Sequence, residues 1–210
     1  MSGRCVRPAV AGLTIAVLAA VLLAATLQLS PAADALQALF RYERAAVLDG
    51  QWWRLFTAHW VHLGSLHLAL NLLALLLVLL LCRPAMSTLQ ALVCLLLYAP
   101  LVSLGLLLFN PDIDWYAGLS GVLHGLLVTC GWLLVRSRPA AILLLAGVLV
   151  KLFAEQSGAW SSGTGHWLGE PVIVDAHLYG AVAGLLGALV HQAVRTTRER
   201  PIQLPAGRRV

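Results

Sequence analysis

The sequence predicts an all-α polytopic membrane protein, on two observations of composition and length. Of the 210 residues, 60% are hydrophobic and only 11% are charged, whereas a soluble domain usually carries about 25% charged residues. Several apolar runs also reach the roughly 20 residues that an α-helix needs to cross a bilayer. Six runs are apparent, at about residues 9–29, 63–82, 88–109, 118–135, 139–156 and 173–194.

These runs occupy most of the chain. We therefore expect a single membrane domain over residues 1–210, with a core at about 9–194 and a short basic cytoplasmic tail at 195–210.

The first apolar run has two interpretations. Arg4 and Arg7 precede it, and Ala33-Asp34-Ala35 resembles the cleavage site of a secretory signal peptide. However, the apolar part is about 20 residues long, against the roughly 7–15 of a signal peptide. We favour a helix that is retained in the membrane.

The basic residues predict the orientation. With six spans both termini lie on one side, and only four of the 14 Lys and Arg residues fall on the other, namely Arg41, Arg44, Arg54 and Lys151. Basic residues collect in cytoplasmic loops, so both termini are expected in the cytoplasm. The net charge of +5 then reflects topology and contact with lipid headgroups. No nucleic-acid partner is expected, because the basic tail has no aromatic residue to stack on bases.

The four cysteines do not have the pattern of a disulfide framework. Cys5 and Cys82 fall at the cytoplasmic side, where thiols stay reduced, and Cys94 and Cys130 fall inside predicted spans. No CxxC motif or Cys/His zinc spacing is present. We expect no metal site and no cofactor.

Three predicted spans carry polar residues near their outer ends, where such groups are costly and mark functional candidates. Ser120 starts the fourth span and His177 lies near the start of the sixth. In the second span His67 and Asn71 are four residues apart on one helix face. This pair either bonds neighbouring helices together or donates to a developing negative charge, as an oxyanion hole does.

These polar groups are expected at one depth. Spans two, four and six run in the same direction, so His67, Ser120 and His177 lie within roughly 10 Å of the outer boundary at 1.5 Å per residue. A hydroxyl beside an imidazole suits nucleophilic acyl transfer. Three helix N-termini at the same level favour an oxyanion.

Glycines predict how two of these spans pack. Gly121 and Gly125 form a small-residue pair on span four, and Gly180 and Gly184 share one face of span six with His177. Small residues allow helix backbones to approach closely. We expect spans four and six to pack against each other on these faces.

Other polar residues leave alternatives open. Lys151 and Glu155, four apart, form either a helix-surface ion pair or a contact with substrate. His59 and His62 are spaced for a metal, but no carboxylate cluster or HExxH motif accompanies them. Asp175 is two residues before His177 and so points to a different face, which makes it unsuitable as a triad acid.

Several motifs together resemble the rhomboid family of intramembrane serine proteases. They are Trp53-Arg54, His62-x4-His67-x3-Asn71, Gly118-x-Ser120-Gly121 and His177-x2-Gly180-x3-Gly184, in the right order over about residues 50–190. The resemblance implies a six-helix core and a Ser-His dyad. It implies Ser120 as nucleophile and His177 as general base and acid, with His67, Asn71 and the Ser120 backbone N–H as the oxyanion hole.

One position departs from many rhomboids, which have a tyrosine four residues after the serine, stacked on the catalytic histidine. Here it is His124, which either stacks, hydrogen-bonds the dyad or handles an acyl acceptor. Gly118, Gly121 and His62 are expected to support the site. The run Gly-Leu-Ser-Gly-Val-Leu-His-Gly resembles the rhombosortase branch, which is associated with a C-terminal Gly-Gly, apolar-helix, basic-tail sorting signal.

The resemblance predicts an intramembrane serine endopeptidase of the bacterial inner membrane, with its active site toward the periplasm and membrane-anchored proteins as substrates. The alternatives are a general rhomboid protease of other single-span substrates and an inactive rhomboid-like protein that binds membrane helices. A small transporter fits less well, because the polar residues cluster at one depth instead of stepping across the bilayer.

Overall fold

The computed structural model describes residues 28–159 and 172–199, together with positions 19 and 26. The described part is mainly helical, with one two-stranded antiparallel sheet. In chain order the elements are α1 (Ala33–Phe40), β1 (Tyr42–Glu43), α2 (Arg44–Leu48), α3 (Arg54–Thr57), α4 (Ser65–Cys82), α5 (Thr88–Phe109), β2 (Trp115–Tyr116), α6 (Ser120–Leu134), α7 (Ala140–Gln156) and α8 (Asp175–Glu199).

The long helices coincide with predicted spans. Within the described residues, α4, α5 and α8 are long and apolar enough to cross a membrane, and α6 is a shorter apolar helix. They correspond to the second, third, sixth and fourth predicted spans, and α7, of 17 residues, corresponds to the fifth. The first predicted span lies almost wholly outside the described residues. The six-span count and the side of the termini therefore stay predictions.

The segment between the first two predicted spans is folded. It contains α1, α2 and α3, and Tyr42 of β1 pairs with Tyr116 of β2. The buried side chain of Arg54 donates to the carbonyl oxygens of Ala38 and Arg41, both at 2.8 Å. A charged group with several acceptors can be buried at tolerable cost, so Arg54 holds this segment together.

The glycine faces of α6 and α8 pack directly against each other, which confirms the close approach expected from sequence. A Cβ atom at Gly121 would lie 2.7 Å from the Ala176 carbonyl oxygen, and one at Gly125 would lie 2.8 Å from that of Gly180. A methyl group at Gly180 or Gly184 would overlap the backbone of α6. The contact has no room for side chains, so it fixes the distance between the N-terminal ends of α6 and α8.

A disulfide bond joins Cys82, the last residue of α4, to Cys130 of α6, with their Cα atoms 5.3 Å apart. The expectation that the cysteines form no disulfide was wrong for this pair. It rested on the predicted cytoplasmic position of Cys82, on the position of Cys130 inside a predicted span and on the absence of a CxxC spacing. The structure buries Cys82 against α6, so two thiols that are 48 residues apart in sequence face each other.

Candidate active site

Ser120 and His177 meet at the N-terminal ends of their helices. Ser120 is the first residue of α6, and His177 is the third residue of α8. The Ser120 Oγ and the His177 Nε2 are 3.0 Å apart, which is a normal hydrogen-bond distance. His177 is buried. The structure thus brings together the two residues that the sequence singles out most strongly.

A sharp turn before Ser120 presents its hydroxyl. Gly118 has φ +129°, a conformation that favours glycine. Its N–H donates to the Ala58 carbonyl at 2.9 Å, and its carbonyl accepts from the Tyr116 hydroxyl at 2.6 Å and from His59 Nδ1 at 3.2 Å. Hydrogen bonds to both the N–H and the carbonyl oxygen of Gly118 therefore hold the turn in place.

His59 is a supporting residue that sequence reasoning considered only as a metal ligand. It is fully buried. Because Nδ1 donates to the Gly118 carbonyl, Nε2 accepts from the Ser103 hydroxyl, at 3.0 Å. Burial lowers the pKa of His59 to about 4, so the ring stays neutral at pH 7. The neutral ring, protonated at Nδ1, can therefore make both hydrogen bonds, to the Gly118 carbonyl and from the Ser103 hydroxyl.

His67 and Asn71 lie beside the serine turn. The His67 Nδ1 accepts from the Leu63 backbone N–H at 3.3 Å, which leaves Nε2 to carry the ring proton. A Cβ atom at Gly118 would lie 3.1 Å from that Nε2, so His67 packs directly on the turn. The Asn71 amide donates to the His67 carbonyl at 2.9 Å and has a second hydrogen to offer. Both of these bonds remain within α4 and the turn that precedes it, and neither ties α4 to another helix.

His124, one turn after Ser120, stacks on the catalytic candidate His177. The two ring centroids are 4.2 Å apart and the ring planes are inclined by 22°. The His124 Nδ1 donates to the Ser120 carbonyl at 2.7 Å, which fixes the ring against the turn. Of the roles left open by the sequence, the structure gives geometry for two, stacking on His177 and a hydrogen bond to the Ser120 backbone.

His62 lies behind His67, with the ring centroids 5.2 Å apart in an edge-to-face arrangement. His59 and His62 therefore contact different groups instead of converging on a shared site. Within residues 28–159 and 172–199, no three His, Cys, Asp or Glu side chains are grouped to hold a metal ion.

Glu155 is the residue of the site that sequence reasoning missed. Its carboxylate oxygens are 3.0 and 3.2 Å from the His177 Nδ1. The expected ion pair with Lys151 is present as well, and the Lys151 Nζ is 3.4 Å from the same Nδ1. A carboxylate in an apolar helix at the depth of Ser120 was the available signal. Asp175 accepts from the Asn110 amide at 3.1 Å and so faces elsewhere, as predicted.

Two cavities adjoin Ser120. One, of about 260 Å³, lies between the turn before α4, the β2 strand and the start of α8, and is lined by Leu63, Asp114, Trp115 and Ile173 among others. The second, of about 210 Å³, lies between α4 and α7 and is lined by Leu70, Ala74, Lys151 and Glu155 among others. His67 borders both. Ser120 also lines both cavities.

The sequence matches the rhomboid domain family over residues 49–193. The chain belongs to the rhomboid family. All of the residues described above as site candidates lie within the matched range. Membership makes this rhomboid a multi-pass membrane protein, of a family whose substrates are membrane proteins. No curated protein matches the chain in sequence.

Proposed function

We propose that this rhomboid is an intramembrane serine endopeptidase that uses Ser120 and His177 as a catalytic pair. The observation that carries the proposal is the 3.0 Å approach of Ser120 Oγ to His177 Nε2 in a chain of this family. Two cavities that are both lined by Ser120 leave space for a substrate backbone.

The first half of the reaction makes an acyl-enzyme. His177 Nε2 takes the proton of the Ser120 hydroxyl as the oxygen attacks a peptide carbonyl carbon. The carbonyl oxygen becomes an oxyanion, for which His67 Nε2–H, the Asn71 amide and the Ser120 backbone N–H are the proposed donors. The first N–H groups of a helix have no partner within the helix, so the Ser120 N–H is suited to this role. When the C–N bond breaks, His177 returns the proton to the leaving nitrogen.

The second half releases the acyl group. Water attacks the ester with His177 again as base, and the Ser120 hydroxyl is regenerated. His124 restricts the rotation of the His177 ring through stacking, which keeps Nε2 aimed at the serine in both halves.

We place the enzyme in the bacterial inner membrane with the site toward the periplasm. Its substrates are membrane-anchored proteins, cleaved near the outer face. The likeness of the Ser120 region to the rhombosortase branch supports a C-terminal Gly-Gly, apolar-helix, basic-tail signal as the substrate feature. Glycine weakens a helix and so makes its carbonyl accessible to attack.

The catalytic pair is tested with the full chain co-expressed with a secreted reporter that carries such a C-terminal anchor. Mass spectrometry of the released reporter maps the new C-terminus. We expect release with the wild type and none with Ser120→Ala or His177→Ala, both still inserted in the membrane. Release by a well-folded Ser120→Ala variant contradicts the mechanism. If no form releases the reporter, a wild type that a fluorophosphonate labels at Ser120 is a protease of other substrates, and one that is not labelled is an inactive, helix-binding rhomboid.

The glycine specificity is tested in the same reporter with the Gly-Gly pair replaced by leucines. We expect release to fall at least tenfold while membrane insertion of the reporter is unchanged. Undiminished release of the leucine reporter would make a general rhomboid protease the better description.

A further inference from the structure

We infer that Glu155 is a positioning residue that turns the Ser120–His177 pair into a triad, an inference that rests on the proposed function. Its carboxylate reaches the ring nitrogen of His177 that faces away from Ser120, at 3.0 Å. Glu155 lies on α7, whereas Ser120 and His177 lie on α6 and α8. Three separate helices thus contribute one hydrogen-bonded chain.

The carboxylate determines the tautomer of His177. A carboxylate only accepts, so the His177 Nδ1 must carry the proton and donate it to Glu155. The Nε2 is then free to accept the Ser120 proton, as a general base must. If Lys151 donated to Nδ1 instead, Nε2 would carry the proton and could not act as base. The carboxylate is the closer group, at 3.0 Å against 3.4 Å for the ammonium.

Lys151 pairs with Glu155 and so allows the carboxylate to stay charged while buried. The Glu155 side chain is only 4% exposed, whereas that of Lys151 is 37% exposed. A buried carboxylate is costly unless it is paired, and the Lys151 ammonium bonds Oε1 while Oε2 lies nearest to His177. The ion pair therefore keeps a charged acceptor beside the imidazole. During attack, that negative charge also stabilises the imidazolium that forms.

The alternative is that Glu155 and Lys151 only neutralise each other within the membrane. The two hypotheses predict different results for the double variant Lys151→Met/Glu155→Gln, which removes both charges at once. If the pair is only structural, this variant leaves no unpaired charge and retains activity. If Glu155 positions His177, the double variant is as slow as Glu155→Gln alone.

The experiment measures how fast a fluorophosphonate probe labels Ser120 in the purified full chain in detergent, without any substrate. We expect Glu155→Gln and the double variant to label about 10²- to 10⁴-fold more slowly than the wild type, by analogy with the loss of a triad carboxylate. Glu155→Asp, which keeps the charge, should recover at least tenfold over Glu155→Gln. Asp175→Asn removes a carboxylate two residues from His177 that contacts Asn110 instead, and should label within about twofold of the wild type.

A second readout reports the tautomer directly. In ¹⁵N-histidine spectra of the wild type, we expect the His177 signal of a ring protonated at Nδ1, and in Glu155→Gln a shift toward protonation at Nε2. Wild-type labelling rates in both Glu155→Gln and the double variant, or an unchanged tautomer in Glu155→Gln, overturn the inference and leave the Ser-His pair standing. A wild type that the probe does not label at Ser120 instead overturns the proposed function, and the triad with it.

Discussion

His67 and His177 each have one ring nitrogen whose partner decides what the other nitrogen can do. The Leu63 N–H bonds His67 Nδ1, so His67 presents an N–H to the serine turn. The Glu155 carboxylate bonds His177 Nδ1, so His177 presents a lone pair. In the proposed reaction the His67 ring donates to the oxyanion and the His177 ring accepts the serine proton. In each ring, the partner of Nδ1 determines whether Nε2 donates or accepts.

Asn71→Ala tests the oxyanion donors. The amide is buried beside the cavity that Ser120 lines, and its loss should lower kcat by about 10²-fold or less, because His67 and the Ser120 N–H remain. KM should change little, since the donor acts mainly in the transition state. Leu70→Ala, on the same helix and cavity, is the control for altered packing. An Asn71→Ala enzyme with unchanged kcat and reduced thermal stability would assign the amide a purely structural role.

The buried His59 makes stability depend on pH. Its folded-state pKa is lowered from the usual 6.5 to about 4, because burial disfavours the charged ring. For a base with a lowered pKa, the stabilisation is complete above the unfolded-state pKa and is lost as the pH falls from about 6.5 toward 4. At pH 5 the expected loss is about 2 kcal/mol from this group. Thermal unfolding in detergent should show a shallower pH slope for His59→Gln than for the wild type, and equal slopes would contradict this account.

Among the helices, the glycine contact between α6 and α8 stabilises the fold and sets the positions of Ser120 and His177. It places the first turn of α8 against the first turn of α6, where a Cβ at Gly121 would touch the Ala176 carbonyl. His177 follows Ala176 directly. The separation of the two catalytic candidates is therefore set by helix packing and not by a flexible loop.

Gly180→Ala should disrupt this contact. The added methyl group would overlap the Gly121 carbonyl oxygen, so α8 must move away from α6. We expect a loss of about 1–3 kcal/mol in stability, as for other overpacked sites, and a large fall in fluorophosphonate labelling because Ser120 and His177 separate. Gly147→Ala is the matched control, since a Cβ there meets nothing within 4 Å. Equal unfolding midpoints and labelling rates for the two variants would show that the contact tolerates a side chain.

Over the whole molecule, the directions of the helices place the candidate site at one end of the helix bundle. The helices α4, α6 and α8 all begin at the level of the site, and the connections at Arg83–Ser87 and Val135–Pro139 lie at the other end. The sequence expectation that His67, Ser120 and His177 share one depth agrees with this, because each lies in the first turn of its helix. The prediction of which side of the membrane this end faces rests on the distribution of the Lys and Arg residues.

Cysteine labelling tests that orientation. Single cysteines at the exposed positions Asp112 and Ser137, in a background with the four native cysteines replaced, should react differently with an impermeant maleimide added to spheroplasts. We expect labelling at position 112 in intact spheroplasts and at position 137 only after permeabilisation, because basic residues favour the cytoplasm. The reverse pattern would place the site on the cytoplasmic side and remove the proposed route for periplasmic substrates.

The sequence by itself determined the features that depend on local pattern. Apolar length predicts α4, α5 and α8, and a polar residue in the first turn of an apolar helix reveals Ser120 and His177. The glycine faces predict the contact of α6 with α8, since glycines one turn apart leave a flat surface along a single helix.

Only the tertiary structure decided which distant groups meet. Glu155 is 22 residues from His177, and from sequence its obvious partner is Lys151, one turn away. The disulfide joins cysteines 48 residues apart. The fold of the segment before α4 depends on hydrogen bonds from Arg54 to acceptors 13 and 16 residues away. Periodicity describes one helix at a time, whereas these contacts depend on how several helices are rotated about their axes. That rotation is set by the packing of all of them together.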